Sequence, residues 1–267
     1  MRVAGVDISS LTTKAVILED DDLRHYKVII SSEKAETAAR EALTQALTEI
    51  HLGWTDLDYI VTTGVGRKEI SFSKERRSLV SCLAKGAHWL FPMTRTLIDV
   101  GAEHVNVINL DEKARVELFV ENDRCAAGAG VFLESLANLL KMPLEDMALE
   151  ALQAERAVNI TSTCTIFAEQ ELISHSYAVP LVSMNEILLG IHDALASRVV
   201  GLAKKVRIVS EIVLCGGVAK NPAFVKSLEK RLKMKLFIPE EPQMVAALGA
   251  AILAGEALKA QAGSSHR

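Results

Sequence analysis

The sequence predicts an α/β protein in which mixed sheets carry helices on their faces and one structural unit occurs twice. Two observations lead to this class. Short apolar runs alternate with longer stretches of helical period along the 267 residues. The apolar runs Val3–Asp7 and Thr96–Asp99 also each end in an aspartate at a turn and lead directly into another apolar run. This repeated strand–turn–strand pattern predicts a duplicated fold with two tightly joined lobes.

The first lobe is predicted to contain four strands and two helices, with a boundary near residue 95. The strands are short apolar runs at 3–7, 15–18, 26–30 and 59–63. The first helix is predicted at 33–51, where apolar residues recur every three or four positions. The second covers 78–90 and ends before Pro92, because proline cannot continue a helix.

The second lobe, residues 96–259, is predicted to contain five strands and six helices. The strands lie at 96–99, 105–110, 115–120, 212–214 and 235–238, and the helices at 129–140, 143–154, 165–177, 184–206, 222–233 and 244–259. We expect the last helix to pack back on the first lobe. Residues 260–267, which include Gly263, Ser264 and Ser265, are expected to form a disordered tail.

Composition and charge argue against several classes of protein. Apolar residues make up 49% of the chain, the net charge is −4, and no basic stripe of the kind that binds nucleic acid is present. The N-terminus enters a strand without a signal segment, and no apolar run reaches the roughly 18–20 residues that cross a membrane. We therefore expect a cytoplasmic protein with neither nucleic acid nor membrane as a partner.

The two aspartate turns have the chemistry of phosphate-binding loops. Small residues in turns let backbone N–H groups approach an anion closely, and Asp7 and Asp99 can each hold a metal ion or a water beside it. One such turn is typical of an ordinary hairpin. Two of them, together with the later glycine pair Gly216-Gly217, predict that a nucleotide polyphosphate is bound from both sides.

The four cysteines are widely spaced, and no CxxC pair indicates a local zinc or ferredoxin-type site. Cys82 and Cys215 lie in apolar segments and are expected to be buried. Cys125 and Cys164 each precede a predicted helix, whose N-terminus stabilises a thiolate. Two such cysteines from each subunit of a symmetric dimer would supply four ligands to an iron–sulfur cluster. On spacing alone, a redox-active pair and a merely buried pair stay open as alternatives.

The segments around these two cysteines, Asn122–Gly130 and Ser162–Glu171, closely resemble the activator (archerase) family of 2-hydroxyacyl-CoA dehydratases, which includes the ATP-binding subunits of benzoyl-CoA reductases. The resemblance covers nearly the whole chain and includes the motifs at 63–67, 81–82, 190–192, 196–198, 216–221 and 247–251. It implies the two-lobed fold of actin, sugar kinases and heat-shock ATPases, with duplicated ribonuclease-H-like domains. It also implies a homodimer with one [4Fe-4S] cluster, held by Cys125 and Cys164 of each subunit, in which ATP hydrolysis drives an electron to low potential.

The resemblance further implies roles for individual residues. Asp7 and Asp99 would act in catalysis with Mg²⁺. Glu103 would be a base toward water, although a solvated turn residue is an equal alternative. The expected phosphate- and adenosine-binding residues are Ser10, Thr12, Thr13, Lys14, Gly101, Ala102, Gly216, Gly217, Lys220, Asn221 and Gly249.

Both turns depart from the family pattern. In the first, Ser9 replaces a glycine whose backbone geometry the serine would have to tolerate. In the second, Glu103, His104 and Asn106 replace glutamine, aspartate and lysine near the γ-phosphate. These changes are compatible with a paralogue of modified hydrolysis, such as the smaller ATP-binding subunit of a benzoyl-CoA reductase. They are equally compatible with an active dehydratase activator that has substituted catalytic groups.

The expected partners follow from the resemblance. They are a second identical chain or a paralogous ATPase subunit, an acyl-CoA dehydratase or benzoyl-CoA reductase component as electron acceptor, and ferredoxin or flavodoxin as electron source. Two other functions stay in consideration: a small-molecule kinase of the same superfamily, and a nucleotide-binding regulatory subunit without hydrolysis. His192 and Arg198 are expected to be structural. Glu169, Glu171 and His175 are not expected to bind a metal, because their spacing does not place them on one helix face.

Overall fold

A computed structural model describes residues 1–122, 129–161, 165–177 and 182–264. The chain divides into two compact units. The first consists of Met1–Thr94, Leu110–Glu117 and Glu240–Arg267, and the second of Arg95–Asn109 and Leu118–Pro239. In chain order the first division falls between Thr94 and Arg95, and the segment Glu240–Arg267, which includes the C-terminal helix, belongs to the first unit.

The first unit contains a five-stranded mixed sheet with the strand order β3-β2-β1-β4-β5. The strands are β1 (Arg2–Ile8), β2 (Thr12–Glu19), β3 (Asp22–Ile30), β4 (Tyr59–Gly64) and β5 (Glu75–Arg76). The helices are α1 (Ala35–Glu49), α2 (Leu79–Leu90) and the C-terminal α8 (Val245–Ser264). β1 pairs antiparallel with β2 and parallel with β4, so the ends of β1 and β4 lie side by side.

Helices cover both faces of this sheet. Alternate residues of β1 and β2 point to opposite faces. One face packs on the apolar stripe of α1, which includes Ala39, Leu43 and Leu47. The other packs on α8, an alanine-rich helix whose small side chains allow a close approach. A Cβ added to Gly5 of β1 would lie 2.0 Å from Ala247 O, so this approach depends on a glycine in the strand.

The second unit contains a five-stranded sheet with the order β10-β9-β6-β7-β8. The strands are β6 (Thr96–Val100), β7 (Val105–Leu110), β8 (Val116–Glu121), β9 (Ile212–Cys215) and β10 (Leu236–Phe237). The helices are α3 (Gly130–Leu140), α4 (Leu144–Ala151), α5 (Thr165–Ser176), α6 (Met184–Ala203) and α7 (Pro222–Leu232). Apolar residues of β6, β7 and β9 and of these five helices form one core cluster.

The two sheets have the same topology. In each, a hairpin (β1–β2 or β6–β7) has its first strand paired in parallel with a later strand (β4 or β9). Read from β8, the order of the second sheet matches that of the first sheet read from β3. The duplication that the two aspartate turns predicted is therefore present in the sheets.

The C-terminal helix differs most from its prediction. α8 continues to Ser264, so residues 260–264, which we expected to be disordered, are helical. Ala260, Gln261 and Ala262 are good helix formers and extend the helix past Lys259. By length and composition alone, Val245–Gly263 is apolar enough to cross a membrane, although Glu256 and Lys259 interrupt the apolar run. Buried core helices share this property, and α8 packs in the core of the first unit.

Candidate functional site

The first turn joins two strands whose register places Asp7 directly opposite Lys14. Between them, the N–H of Ser9 donates to Thr12 O at 3.1 Å and closes the turn. The carboxylate of Asp7 is thus held at the end of a buried strand, next to the turn.

Lys14 and Ser9 hold one oxygen of this carboxylate. Lys14 Nζ donates to Asp7 Oδ2 at 3.0 Å and to Ser9 Oγ at 2.9 Å, and the Ser9 hydroxyl donates to the same Oδ2 at 2.9 Å. Asp7 and Lys14 are both buried. Because a buried charge is costly without an opposite charge, the ammonium compensates the carboxylate.

The other oxygen of Asp7 has a different environment. Asp7 Oδ1 is buried and has no hydrogen-bond partner among the described residues. Gly64, at the end of β4, lies against it: an added Cβ would be 2.4 Å from Oδ1 and 2.3 Å from Ile8 O. Gly64 has a φ of 86°, which glycine adopts without strain. An orphaned carboxylate oxygen at an anion-binding turn is a fitting ligand for a cation-bound water or Mg²⁺.

The remaining residues of the first turn divide between its surface and the sheet. Ser10 and Leu11 are exposed and Thr12 is partly exposed, so all three are accessible to a ligand. Thr13 is fully buried, and its Oγ1 lies 2.8 Å from Ser31 Oγ. The Thr13 hydroxyl, which we expected to bind phosphate, is therefore engaged in joining β2 to the residue after β3.

The second turn repeats the backbone geometry of the first. Asp99 in β6 is the ladder partner of Asn106 in β7, and the N–H of Gly101 donates to His104 O at 2.8 Å. These positions match the aspartate, the lysine and the turn-closing pair of the first turn. Gly101 and Ala102 are partly exposed and Glu103 is exposed, so the predicted ligand-binding residues lie on the accessible side of the turn.

Two neutral side chains of the described residues donate to Asp99, whereas an ammonium donates to Asp7. Asn106 Nδ2 donates to Asp99 Oδ2 at 3.1 Å, and Cys215 Sγ, donating to Oδ1, lies at 3.7 Å. Cys215 is the residue of β9 paired with Asp99. The two donors, an amide and a thiol, orient the carboxylate.

Gly216 occupies the place in the second unit that Gly64 occupies in the first. Its φ is 88°, and an added Cβ would lie 2.3 Å from Val100 O and 2.8 Å from Asp99 Oδ1. A side chain at Gly216 would therefore displace the carboxylate and strain the backbone. Both aspartates thus require a glycine at the end of the adjacent parallel strand.

Ser9 is accommodated without strain. Neither Ser9 nor Gly101, its counterpart, has a positive φ, and a Cβ at Gly101 would make an ordinary contact of 3.5 Å with His104 O. The special glycine geometry that we expected at position 9 is therefore not required. The serine instead adds a hydroxyl that bonds to both Asp7 and Lys14.

The glycine pair leads into a short 3₁₀ turn, Gly217–Lys220, which ends where Asn221 caps α7. Asn221 Oδ1 accepts from the N–H of Phe224 at 2.9 Å, and Asn221 Nδ2 lies 3.1 Å from His192 Nε2. Gly217 is half-buried and Lys220 is exposed. Both polar atoms of the Asn221 side chain, which we predicted to bind nucleotide, are thus engaged in holding this turn to α6 and α7.

His192 is buried on α6, and burial lowers its pKa to about 4. The neutral ring accepts at Nε2 from Asn221 and donates at Nδ1 to Leu188 O, 2.8 Å away. This tautomer is the one that the cap requires, because Asn221 Oδ1 is already an acceptor. His192 therefore has a structural contact role, as we expected.

Gly249 lies at a helix crossing within the first unit. A Cβ there would be 1.7 Å from the carbonyl oxygen of Cys82 in α2. The close packing of α8 on α2 thus requires this glycine. We predicted Gly249 as part of the adenosine site, and its described contacts are those of helix packing.

Cys125 and Cys164, the predicted cluster ligands, lie outside the described residues. Helices begin close after both of them, at Gly130 and Thr165. Cys82 and Cys215 are buried free thiols, and burial raises the pKa of Cys82 to about 11. A thiol that resists ionisation is a poor metal ligand, so Cys82 is not suited to hold a cluster.

Sequence reasoning did not assign functions to Gly64 and Cys215. Gly64 stands in a motif that we noted, but its contact with Asp7 depends on the pairing of β1 with β4. Cys215 was expected only to be buried, and its contact with Asp99 crosses from β9 to β6. The duplication was the signal that could have indicated both residues, because β4 follows the first aspartate turn as β9 follows the second, and each of these parallel strands leads to a residue that contacts the aspartate.

Known proteins resemble this chain over its full length. It is 39% identical over 257 residues to the activator of lactoyl-CoA dehydratase from Anaerotignum propionicum, covering 96% of this chain and 98% of the relative. It is 30% identical over 260 residues to a benzoyl-CoA reductase subunit from Thauera aromatica, covering 93% and 91%. The solved activator of the 2-hydroxyisocaproyl-CoA dehydratase from Clostridium difficile, with bound ADPNP, superposes with a TM-score of 0.91 at 34% identity and covers 98% of both chains.

More distant structures share the fold alone. A ROK family glucokinase from Streptomyces griseus superposes with a TM-score of 0.60 at 12% identity, covering 96% of this chain and all of the kinase chain. The actin-like, sugar-kinase α/β fold that we expected is confirmed. The decisive match is to a family model that spans residues 4–254. On that match and the relatives above, the chain belongs to the BadF/BadG/BcrA/BcrD ATPase family.

Proposed function

We propose that this protein is an ATP-hydrolysing activator that donates single electrons at low potential to an enzyme acting on an acyl-CoA. The observation that carries the proposal is the full-length similarity to dehydratase activators. The two aspartate turns support it, because each presents a fixed carboxylate beside an accessible turn of small or polar residues.

Nucleotide binding rests on the two turns. In the first unit, Lys14 compensates Asp7 and bonds to Oδ2, so the buried Oδ1 is the oxygen that we assign to a cation or its water ligand. In the second, Asp99 is oriented by Asn106 and Cys215. Mg²⁺, when bound with ATP, neutralises phosphate charge and orients the attacking water. We assign Asp7 and Asp99 to holding Mg²⁺ or its water ligands. Glu103, which is exposed at the second turn, is assigned as the base that activates the attacking water.

The electron-transfer role rests on Cys125 and Cys164. A [4Fe-4S] cluster takes four thiolates, so two chains would supply two cysteines each, as a homodimer or with a paralogous subunit. The cluster, when bound, supplies one-electron chemistry whose potential responds to its surroundings. Three observations support this assignment: the cysteine segments resemble those of the family, α3 and α5 begin close after them, and the other two thiols are buried.

A 2-hydroxyacyl-CoA dehydratase is the proposed electron acceptor. The similarity to a dehydratase activator is higher than the similarity to a benzoyl-CoA reductase subunit, which makes a benzoyl-CoA reductase component the second candidate. Ferredoxin or flavodoxin would reduce the cluster in the cytoplasm.

Anaerobic purification with quantitation of iron and sulfide, together with the oligomer mass, tests the proposal. We expect about four iron atoms per dimer and a brown colour that is lost in air. Cys125→Ala and Cys164→Ala should each abolish iron binding while ADPNP affinity is retained. The matched controls Cys82→Ala and Cys215→Ala should keep the iron. A colourless protein that stays iron-free after reconstitution would contradict the proposal, and so would iron retained by either ligand variant.

A further inference from the structure

Asn122 ties the second turn to the chain segment that follows β8. Its Oδ1 accepts from the N–H of Val105 at 2.6 Å, and its Nδ2 donates to the carbonyl oxygen of Glu103 at 3.0 Å. Its backbone N–H also donates to Val105 O at 3.1 Å. One residue thus makes three hydrogen bonds to the turn and to the first residue of β7.

The start of α3 also holds this turn. The N–H of Gly130 donates to Gly101 O at 2.9 Å, and the N–H of Val131 donates to Ala102 O at 2.9 Å. Gly130 permits this approach, since an added Cβ would lie only 3.2 Å from Gly101 O. The first N–H groups of a helix have no partner within the helix, so the turn satisfies two of them.

These five hydrogen bonds bracket the segment 123–128 in sequence. Asn122 directly precedes that segment, Gly130 lies two residues beyond it, and Cys125 is within it. The carbonyl groups of Gly101, Ala102 and Glu103 are all acceptors of these bonds. A shift of the turn therefore has to move both anchors or break hydrogen bonds to them.

We propose that Asn122 is a positioning residue that transmits nucleotide occupancy of the Gly101–Glu103 turn to the segment carrying Cys125. The inference rests on the proposed function only in taking this turn as a nucleotide contact. Asn122 itself contacts neither nucleotide nor cluster in this scheme. It acts by keeping the end of β8 in register with the turn.

Hydrogen–deuterium exchange of the full-length protein, with and without ADPNP, tests the inference without requiring a cluster. We expect ADPNP to slow exchange in peptides spanning 118–128 of the unmodified protein. In Asn122→Ala the ADPNP-dependent difference in these peptides should fall by at least about threefold, while ADPNP affinity stays within about twofold, because only side-chain hydrogen bonds outside the ligand contacts are removed. Asn122→Asp, which keeps the acceptor for Val105 but loses the donor to Glu103, should give an intermediate loss.

Asn109→Ala is the matched control. Asn109 lies on β7, the strand that Val105 begins, is buried, and donates to a backbone carbonyl, Arg207 O, outside the turn. This variant should keep the full ADPNP effect at 118–128. The inference is overturned if Asn122→Ala keeps the full effect, if Asn109→Ala loses it equally, or if ADPNP leaves these peptides unchanged in the unmodified protein.

A second readout separates this inference from the proposed function. In protein reconstituted with iron, ADPNP should change the rate at which a chelator removes the iron, and Asn122→Ala should reduce that change at unaltered iron content. If the protein binds ADPNP and shows the exchange effect but never holds iron, the electron-donor function fails and the positioning role stands. If ADPNP does not bind, both are overturned, and the affinity measurement reveals it.

Discussion

The first and second aspartate turns have the same backbone and different residues opposite the aspartate, a lysine in the first and an asparagine in the second. Each places an aspartate at the end of a strand, closes with an N–H to carbonyl bond three residues apart, and is backed by a glycine of positive φ. Asp7 accepts a hydrogen bond from the ammonium of Lys14, whereas Asp99 accepts hydrogen bonds from the amide of Asn106 and the thiol of Cys215. A common scaffold thus presents one carboxylate opposite an ammonium and one opposite an amide.

The difference suggests a division of labour between the turns. The first turn pairs its carboxylate with a buried ammonium, which lowers the negative charge that Asp7 offers to other ligands, whereas the residue opposite Asp99 is a neutral amide. We therefore expect Asp7 and Lys14 to contribute most to folding stability, with Asp7 also holding a cation-bound water, and Asp99 to contribute most to the cation and water of hydrolysis.

The glycine-backed loops behind the two turns also differ. Behind the first, Arg67 donates to Gly64 O at 2.8 Å from a half-exposed position. Behind the second, Asn221 and the buried, neutral His192 hold the turn after Gly216. The second loop therefore depends on His192, a group that can take up a proton in acid.

The largest expected effect comes from neutralising Asp99. Asp99→Asn keeps the shape and removes the charge that orients cation and water, so we expect ATP hydrolysis to fall by about 1,000-fold. ADPNP affinity should change little, and folding stability should be nearly unchanged. Steady-state phosphate release and ADPNP titration measure both quantities. Undiminished hydrolysis would show that Asp99 does not organise this chemistry and would remove the proposed division.

The next effect compares the stability lost when the residue opposite each aspartate, Lys14 or Asn106, is replaced by alanine. Lys14→Ala leaves a buried carboxylate without its cation, and we expect it to lower the free energy of unfolding by about 3 kcal/mol. Asn106→Ala removes one neutral hydrogen bond and should cost about 1 kcal/mol. Urea unfolding of the two variants at neutral pH measures the difference. Equal losses would mean that the charge difference between the turns has no energetic consequence.

The smallest expected effect is the pH dependence contributed by His192. Its pKa is about 4 in the folded protein and about 6.5 when unfolded, so the unfolded state binds the proton first as the pH falls. The stabilisation is complete above pH 6.5 and decreases toward pH 4, by about 2 kcal/mol between pH 6.5 and 5.

His192→Gln should flatten the corresponding part of the curve of unfolding free energy against pH. His51→Gln, at an exposed position, is the control for simple loss of a histidine and should leave the curve as it is. A His192→Gln curve as steep as that of the unmodified protein would show that another group causes the acid sensitivity of the second loop.

Much of the fold could be predicted from local patterns. Alternating apolar strands, helical periodicity and a stop at Pro92 located nearly every element, because these signals depend on neighbours in the chain. The end of α8 was misplaced, since Gly263 and the following serines suggested a tail while Ala260–Ala262 extend the helix. The contacts of Thr13, Asn221 and Gly249 were missed because their partners are distant in sequence.

By itself, the sequence determined the duplication and the two aspartate turns, and it supplied the glycine pair Gly216-Gly217 and the hypothesis that Cys125 and Cys164 bind a cluster. Composition and short-range spacing carry that information. The tertiary structure decided which groups surround each carboxylate: Lys14 and Gly64 beside Asp7, and Asn106, Cys215 and Gly216 beside Asp99. It also decided that Asn122 and α3 anchor the second turn. These are contacts between strands and loops, and only the register of the sheet brings their residues within hydrogen-bond distance.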